Sequence, residues 1–117
     1  MKFTDNAINI LAAKIYKGIG TAWIVQNMHT NMTIEDIVNK LNVKLKDSPT
    51  SVTDFQRYKN TIKDRIKNIE PFLDGITAMG DDDFPHIRGS VKDSEKPIIL
   101  YYKGDLLCYL NIIEILQ

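Results

Sequence analysis

The 117-residue chain has one cysteine, Cys108, so no disulfide can close within it. A lone cysteine fits a reducing compartment or a small buried hydrophobe. Structural zinc needs several Cys or His ligands, and His29 and His86 stand far apart with no Cys or His at ligand spacing. No apolar run reaches the ~20 residues that cross a bilayer. Asp5, Asn6 and Asn9 break up the first segment, so no signal-peptide core appears. The sequence contains neither a P-loop nor a dinucleotide fingerprint. Cys108 sits in "LLCYL" without a nearby basic partner, and no His is placed to activate Ser90 or Ser94. The expectation is a soluble cytoplasmic protein that is not an enzyme, with no cofactor, no metal and no membrane contact.

Net charge is missing too. Fifteen basic residues balance fifteen acidic ones. A strong free-standing nucleic-acid binder usually rests on excess Lys and Arg. The distribution is less even than the total. Residues 38–69 carry eight basic side chains (Lys40, Lys44, Lys46, Arg57, Lys59, Lys63, Arg65, Lys67) against Asp47, Asp54 and Asp64. Residues 70–84 carry Glu70, Asp74, Asp81, Asp82 and Asp83 and no base. Such a polar molecule can also associate with itself. The apolar share, 44%, suits one globular domain of this length.

Helical spacing dominates the first seventy residues. Asp5 or Thr4 can cap a helix to about Tyr16, with Ile8, Leu11, Ala12 and Ile15 on one face. Gly18 stops it. Thr21 can cap a short second helix carrying Ala22, Trp23, Val25 and Met28. Thr33 and Asp36 resemble a capping box that opens a third helix to about Leu41. Residues 42–52 read as a loop around Ser48-Pro49. Thr53 with Gln56 repeats the capping pattern and opens the longest helix, to about Ile69. Its apolar stripe is Phe55, Tyr58, Ile62, Ile66 and Ile69, with the basic residues mostly off that stripe.

Beyond Pro71 the pattern changes. Ile76 to Met79 is a short strand candidate, and "PIILYYKGD" is the strongest strand signal in the chain. The tail "LLCYLNIIEILQ" reads as helix or strand. The chain thus divides into a helical part, 1–70, and a part with short strands and an apolar tail, 71–117. The two are expected to pack as one unit of the α+β class.

The second part carries a family resemblance. Gly75-Ile76-Thr77-Ala78, Asp83-Phe84-Pro85, Pro97-Ile98-Ile99-Leu100-Tyr101-Tyr102-Lys103-Gly104-Asp105 and Leu106-Leu107 occur in one order and spacing. This resembles the segment leading into the nucleotide-binding-like core of the DNA-processing protein A family (DprA, also called Smf). Upstream, "YKGIGTAWIVQNM" looks like the helix-hairpin-helix turn of that family's helical, SAM-like N-terminal module. The resemblance covers most of the chain and implies an accessory role in single-stranded DNA handling during recombination and transformation. The family's core, with its "GSR"-type turn and its DNA- and recombinase-binding determinants, would begin about where these residues stop.

Two sets of site residues follow. A Gly-x-Gly turn can bring backbone amides to a phosphate, so Lys17, Gly18, Gly20 and Thr21 are candidates for nucleic-acid contact. Trp23 close behind them argues that packing is the main work of this turn. Lys59, Lys63 and Lys67 recur every fourth residue and could track a phosphate backbone, although such a stripe is more often a solvated face. Asp81-Asp82-Asp83 reads as a water-exposed turn, with Asp83 its structural member. Tyr101, Leu106, Tyr109, Ile112 and Ile113 are the expected partner interface, folded back on the helices or paired across a homodimer. Two functions remain open. One is a DprA-like module that assists single-stranded DNA binding. The other is a stand-alone, mobile-element or phage-derived interaction module that dimerises or binds a protein without binding DNA.

Overall fold

The computed structural model describes residues 1–85 and 91–104. Within them lie α1 (Asp5–Ala13), α2 (Thr21–Asn27), α3 (Ile34–Lys44), α4 (Val52–Ile69), β1 (Gly75–Ala78) and β2 (Ile99–Tyr102). Four helices and a two-stranded antiparallel sheet are the α+β class read from the sequence.

α4 is the spine. Phe55, Ile62 and Ile66 are buried, and Tyr58 and Ile69 pack partly against the same core. Burying each such large apolar side chain contributes about 1.5–3 kcal/mol. α1 and α3 both pack on α4. α4 begins earlier than expected. Ser51 caps it, its Oγ accepting from the Asp54 N–H at 3.1 Å, and Thr53 falls inside the first turn. Asp54 adds a carboxylate at the positive end of the helix dipole.

Thr4 caps α1 by accepting from the Ala7 N–H at 3.1 Å. α1 ends at Ala13 rather than Tyr16. There the bonding tightens to three-residue spacing: Ile15 donates to Ala12 O and Tyr16 to Ala13 O. Gly18, at φ +87°, reverses the chain in a conformation that side chains resist. Ile19 then plunges into the core. The cap of α2 is Gly20, with no side-chain bond, and Thr21 is the first helical residue, not the cap. Thr33 caps α3 as its spacing predicted, accepting from Asp36 N–H at 3.1 Å. α3 runs past Leu41 to Lys44.

β1 and β2 pair with Gly75 opposite Tyr102 and Ala78 opposite Ile99. β1 starts one residue earlier than the Ile76–Met79 segment, at Gly75. A methyl at Gly75 would overlap the Tyr102 ring, so this register needs glycine there. The other edge of β1 is taken by Lys2, whose N–H donates to Asp74 O at 2.9 Å and whose carbonyl accepts from Ile76 at 2.8 Å. Flanked on both sides, all four β1 residues are buried. The sheet rests on α1. On β2, Leu100 and Tyr102 face the core while Tyr101 is 44% exposed.

Candidate nucleic-acid interface

The lysine stripe expected on α4 does not form. Lys59 is buried, its side chain only 6% exposed, and its Nζ lies 2.9 Å from Asp5 Oδ1. Helical geometry explains this. Residues four apart drift by about 40° around the axis, so Lys59, Lys63 and Lys67 rotate progressively away from the Phe55–Ile62–Ile66 face. Lys59 sits inside that face. Lys63 and Lys67 are exposed, and Lys67 is 3.9 Å from Asp64. The signal was present in the sequence, since Lys59 stands four residues after Phe55 and three before Ile62. Lys59 is thus removed from the candidate phosphate contacts.

A different basic group comes together. Lys17, in the turn after α1, meets Lys44, in the last turn of α3, and Lys46, in the following loop, around an open cleft of about 410 Å³. All three lysines are exposed, and none forms an ion pair with a described carboxylate. Asp47 is the one acid lining the cleft among the described residues.

Local bonding holds the two segments together. Asn42 clamps the loop, its Nδ2 donating to Thr50 O at 3.1 Å and its Oδ1 accepting from Thr50 N–H at 2.7 Å. The Thr50 hydroxyl is 2.7 Å from the Tyr16 hydroxyl. The Tyr16 ring stacks near Phe55 and meets Tyr58 edge-on, with centroids 5.0 Å apart. Burial raises the Tyr16 pKa above 10.0, against the opposing effect of the Thr50 hydrogen bond. The residue before Lys17 is thereby anchored on α4, and the residue after it turns the chain.

Gly18 and Gly20 are exposed, and no atom lies within 4 Å of the position a Cβ would take at either. The backbone here is open to an incoming group. Thr21 is half-buried. Of the expected contacts, Lys17 lines the cleft, Gly18 and Gly20 follow it in the same turn, and Lys63 and Lys67 lie elsewhere, on α4. Lys44 and Lys46 were the missing members. Their signal was the basic surplus of residues 38–69, which names no location until the loop folds back. Three ammonium groups around one carboxylate make an anion-attracting surface.

The acidic turn has a structural job, and Asp81 rather than Asp83 does most of it. Asp81 accepts from the Thr4 hydroxyl at 2.8 Å, from Asn6 Nδ2 at 3.1 Å and from the Ala78 N–H at 2.8 Å. It ties the start of α1 to the end of β1. Asp83 accepts one bond, from the buried Thr77 hydroxyl at 2.6 Å. Among the described residues, no group of three or more His, Cys, Asp or Glu is arranged to hold a metal ion, and no helix is long and apolar enough to cross a membrane. Tyr101 of the expected partner interface is exposed on β2. Leu106, Tyr109, Ile112 and Ile113 lie outside the described residues.

No family model, no curated protein and no solved structure matches this chain.

Proposed function

We propose that the chain is a non-catalytic, cytoplasmic accessory module of a DprA/Smf-like DNA-processing protein, and that it contacts the phosphates of single-stranded DNA through Lys17, Lys44 and Lys46. One observation carries the reading. Three exposed lysines, none in an ion pair with a described acid, converge from two separate segments on one cleft, with Asp47 its single lining acid, beside an open Gly-Ile-Gly backbone. Lysines in a merely solvated arrangement gain nothing by convergence, because like charges repel. A polyanion turns that cost into affinity. Support also comes from the second part of the chain, where two of the segments that resemble the family, Gly75–Ala78 and Ile99–Tyr102, pair as β1 and β2.

The arrangement is modest in size. Three phosphate contacts to a single strand give a salt slope of about −2 in log K against log[salt]. That fits an assisting role better than a free-standing binder, and it fits the neutral total charge. The test is binding of a fluorescent single strand at low salt by the full chain and by its Lys17→Glu/Lys44→Glu/Lys46→Glu variant. The reading expects salt-sensitive binding that the variant loses. Equal binding by both proteins overturns it.

The exposed Tyr101 ring favours a second reading, an interaction module that binds a protein or a second copy of itself without DNA. That reading expects no strand binding at any salt and a mass that rises with concentration.

A further inference from the structure

A polar pocket of about 390 Å³ lies where the start of α1, the loop before α3 and the turn after β1 meet. Asp5 and Asn9 line it from α1, Thr30 and Met32 from the loop, and Asp81 and Asp82 from the turn. Three of these are carboxylates, and among the described residues no Lys, Arg or His lines the pocket. Lys59 neutralises Asp5 through their 2.9 Å ion pair. Asp81 is held by neutral donors, the Thr4 hydroxyl, Asn6 Nδ2 and the Ala78 amide, which leave its charge in place. Asp82 is exposed and in no ion pair with a described base. The pocket therefore retains two negative charges. The nucleic-acid reading uses none of these residues, and like charge repels a polyanion here.

A second feature, independent of the acids, points to a ligand. Asn9 is only 6% exposed, and its amide Oδ1 accepts no hydrogen bond from any described residue. A buried acceptor without a donor carries an uncompensated desolvation cost, which an apolar side chain of the same shape would avoid. A molecule that donates to Asn9 removes that cost.

The occupant must therefore donate hydrogen bonds and carry positive charge. Spacing selects its shape. Asn9 lies one helical turn beyond Asp5, about 6 Å along the axis, whereas Asp81 is bonded to Thr4 and Asn6 at the start of α1. A metal ion needs oxygens that converge on one point, and no three described acids, histidines or cysteines are arranged to hold one. An extended molecule with a donor at each end can use separated acceptors. We propose that the pocket binds a small linear diamine, with one ammonium beside Asp81 and Asp82 and the other donating to Asn9 Oδ1. Its two positive charges match the two negative charges that the pocket retains, and Met32 offers apolar surface to the methylenes between them.

The test titrates the full chain with putrescine, a four-carbon diamine, by calorimetry at constant ionic strength, beside butylamine and calcium chloride. Putrescine should bind saturably, and about tenfold more tightly than butylamine, because the monoamine forfeits one charge-assisted hydrogen bond. Asp82→Asn removes the exposed acid and should weaken putrescine about tenfold. Asp64→Asn, at an exposed position of α4 outside the pocket, should bind as the parent does. Putrescine should raise the urea midpoint of the parent, and Asn9→Leu should abolish that rise. No saturable binding, equal affinities for diamine and monoamine, tighter binding of calcium, or equal losses in Asp82→Asn and Asp64→Asn overturn the proposal. An Asn9→Leu protein that responds to putrescine as the parent does also overturns it.

Discussion

The two ends of α1 use the same residue types for opposite purposes. At its start, each of the charged groups Asp5, Lys59 and Asp81 has a partner: Asp5 holds the buried Lys59, and Asp81 collects Thr4, Asn6 and the Ala78 amide. Beyond its end, Lys17 joins Lys44 and Lys46 with no described acid paired to any of them. Partnered charge fixes the fold. Unpartnered charge of one sign, gathered at one place, is available to a ligand. The comparison predicts that mutations at the start of α1 act on stability, and mutations beyond its end act on binding.

The largest stability effect is expected at Asp81. Asp81→Ala leaves the Thr4 hydroxyl and the Ala78 amide without their acceptor and removes one of the two that Asn6 Nδ2 uses, the other being Met79 O; hydrogen bonds to a charged group contribute about 1.5–3 kcal/mol each. With this site partly exposed, a loss of about 2–3 kcal/mol in urea denaturation is expected. Next comes the ion pair, where the two partners are unequal. Asp5→Ala strands the ammonium of a buried lysine and should cost about 1–2 kcal/mol, since the long side chain can still extend toward water. Lys59→Met leaves only an exposed carboxylate and keeps the apolar contacts, so it should cost less than about 1 kcal/mol. Equal costs for the two would break the asymmetry. At the other end, Lys17→Glu/Lys44→Glu/Lys46→Glu should change stability by no more than about 0.5 kcal/mol, while strand affinity at low salt falls more than tenfold.

The smallest effect concerns the turn against which α2 packs. Hydrogen bonds from Lys96, at 2.9 Å, and then Gln26, at 3.1 Å, hold the Asp93 pKa below 3.8. A depressed carboxyl pKa means the contribution is complete above the ordinary Asp range and lost as pH falls through the lowered value. Asp93 is only partly buried and its partners are solvent-accessible, so the stability change is small. Its side-chain carboxyl carbon should titrate below pH 3.8 by NMR, and Gln26→Ala with Lys96→Ala should return the midpoint to the ordinary range.

The helices were legible because their signals are local. Thr33 and the Phe55–Ile69 stripe announce caps and faces through spacing alone. The strands were legible from Ile99, Leu100, Tyr101 and Tyr102 between proline and glycine. The cap of α4 slipped by two residues for a local reason, since Ser51 rather than Thr53 accepts from the Asp54 N–H. The other slips were decided by longer-range contacts. Lys59 left the basic stripe because Asp5, fifty-four residues away in sequence, gives it a buried partner. The Lys17–Lys44–Lys46 cleft was only one-third visible, since the Asn42–Thr50–Tyr16 bonds that assemble it join three separate stretches of chain. The Gly-Ile-Gly turn reads both ways at once. Gly18 and Ile19 serve packing and chain reversal, while Gly20 leaves the backbone open beside the lysines.

The most direct test of the proposed function is the salt dependence of single-strand binding by the full chain. The account predicts a slope of about −2 in log K against log[salt], with binding lost in the Lys17→Glu/Lys44→Glu/Lys46→Glu protein and kept in Lys63→Glu/Lys67→Glu. No binding at low salt, or a loss that follows Lys63 and Lys67 instead, would contradict it.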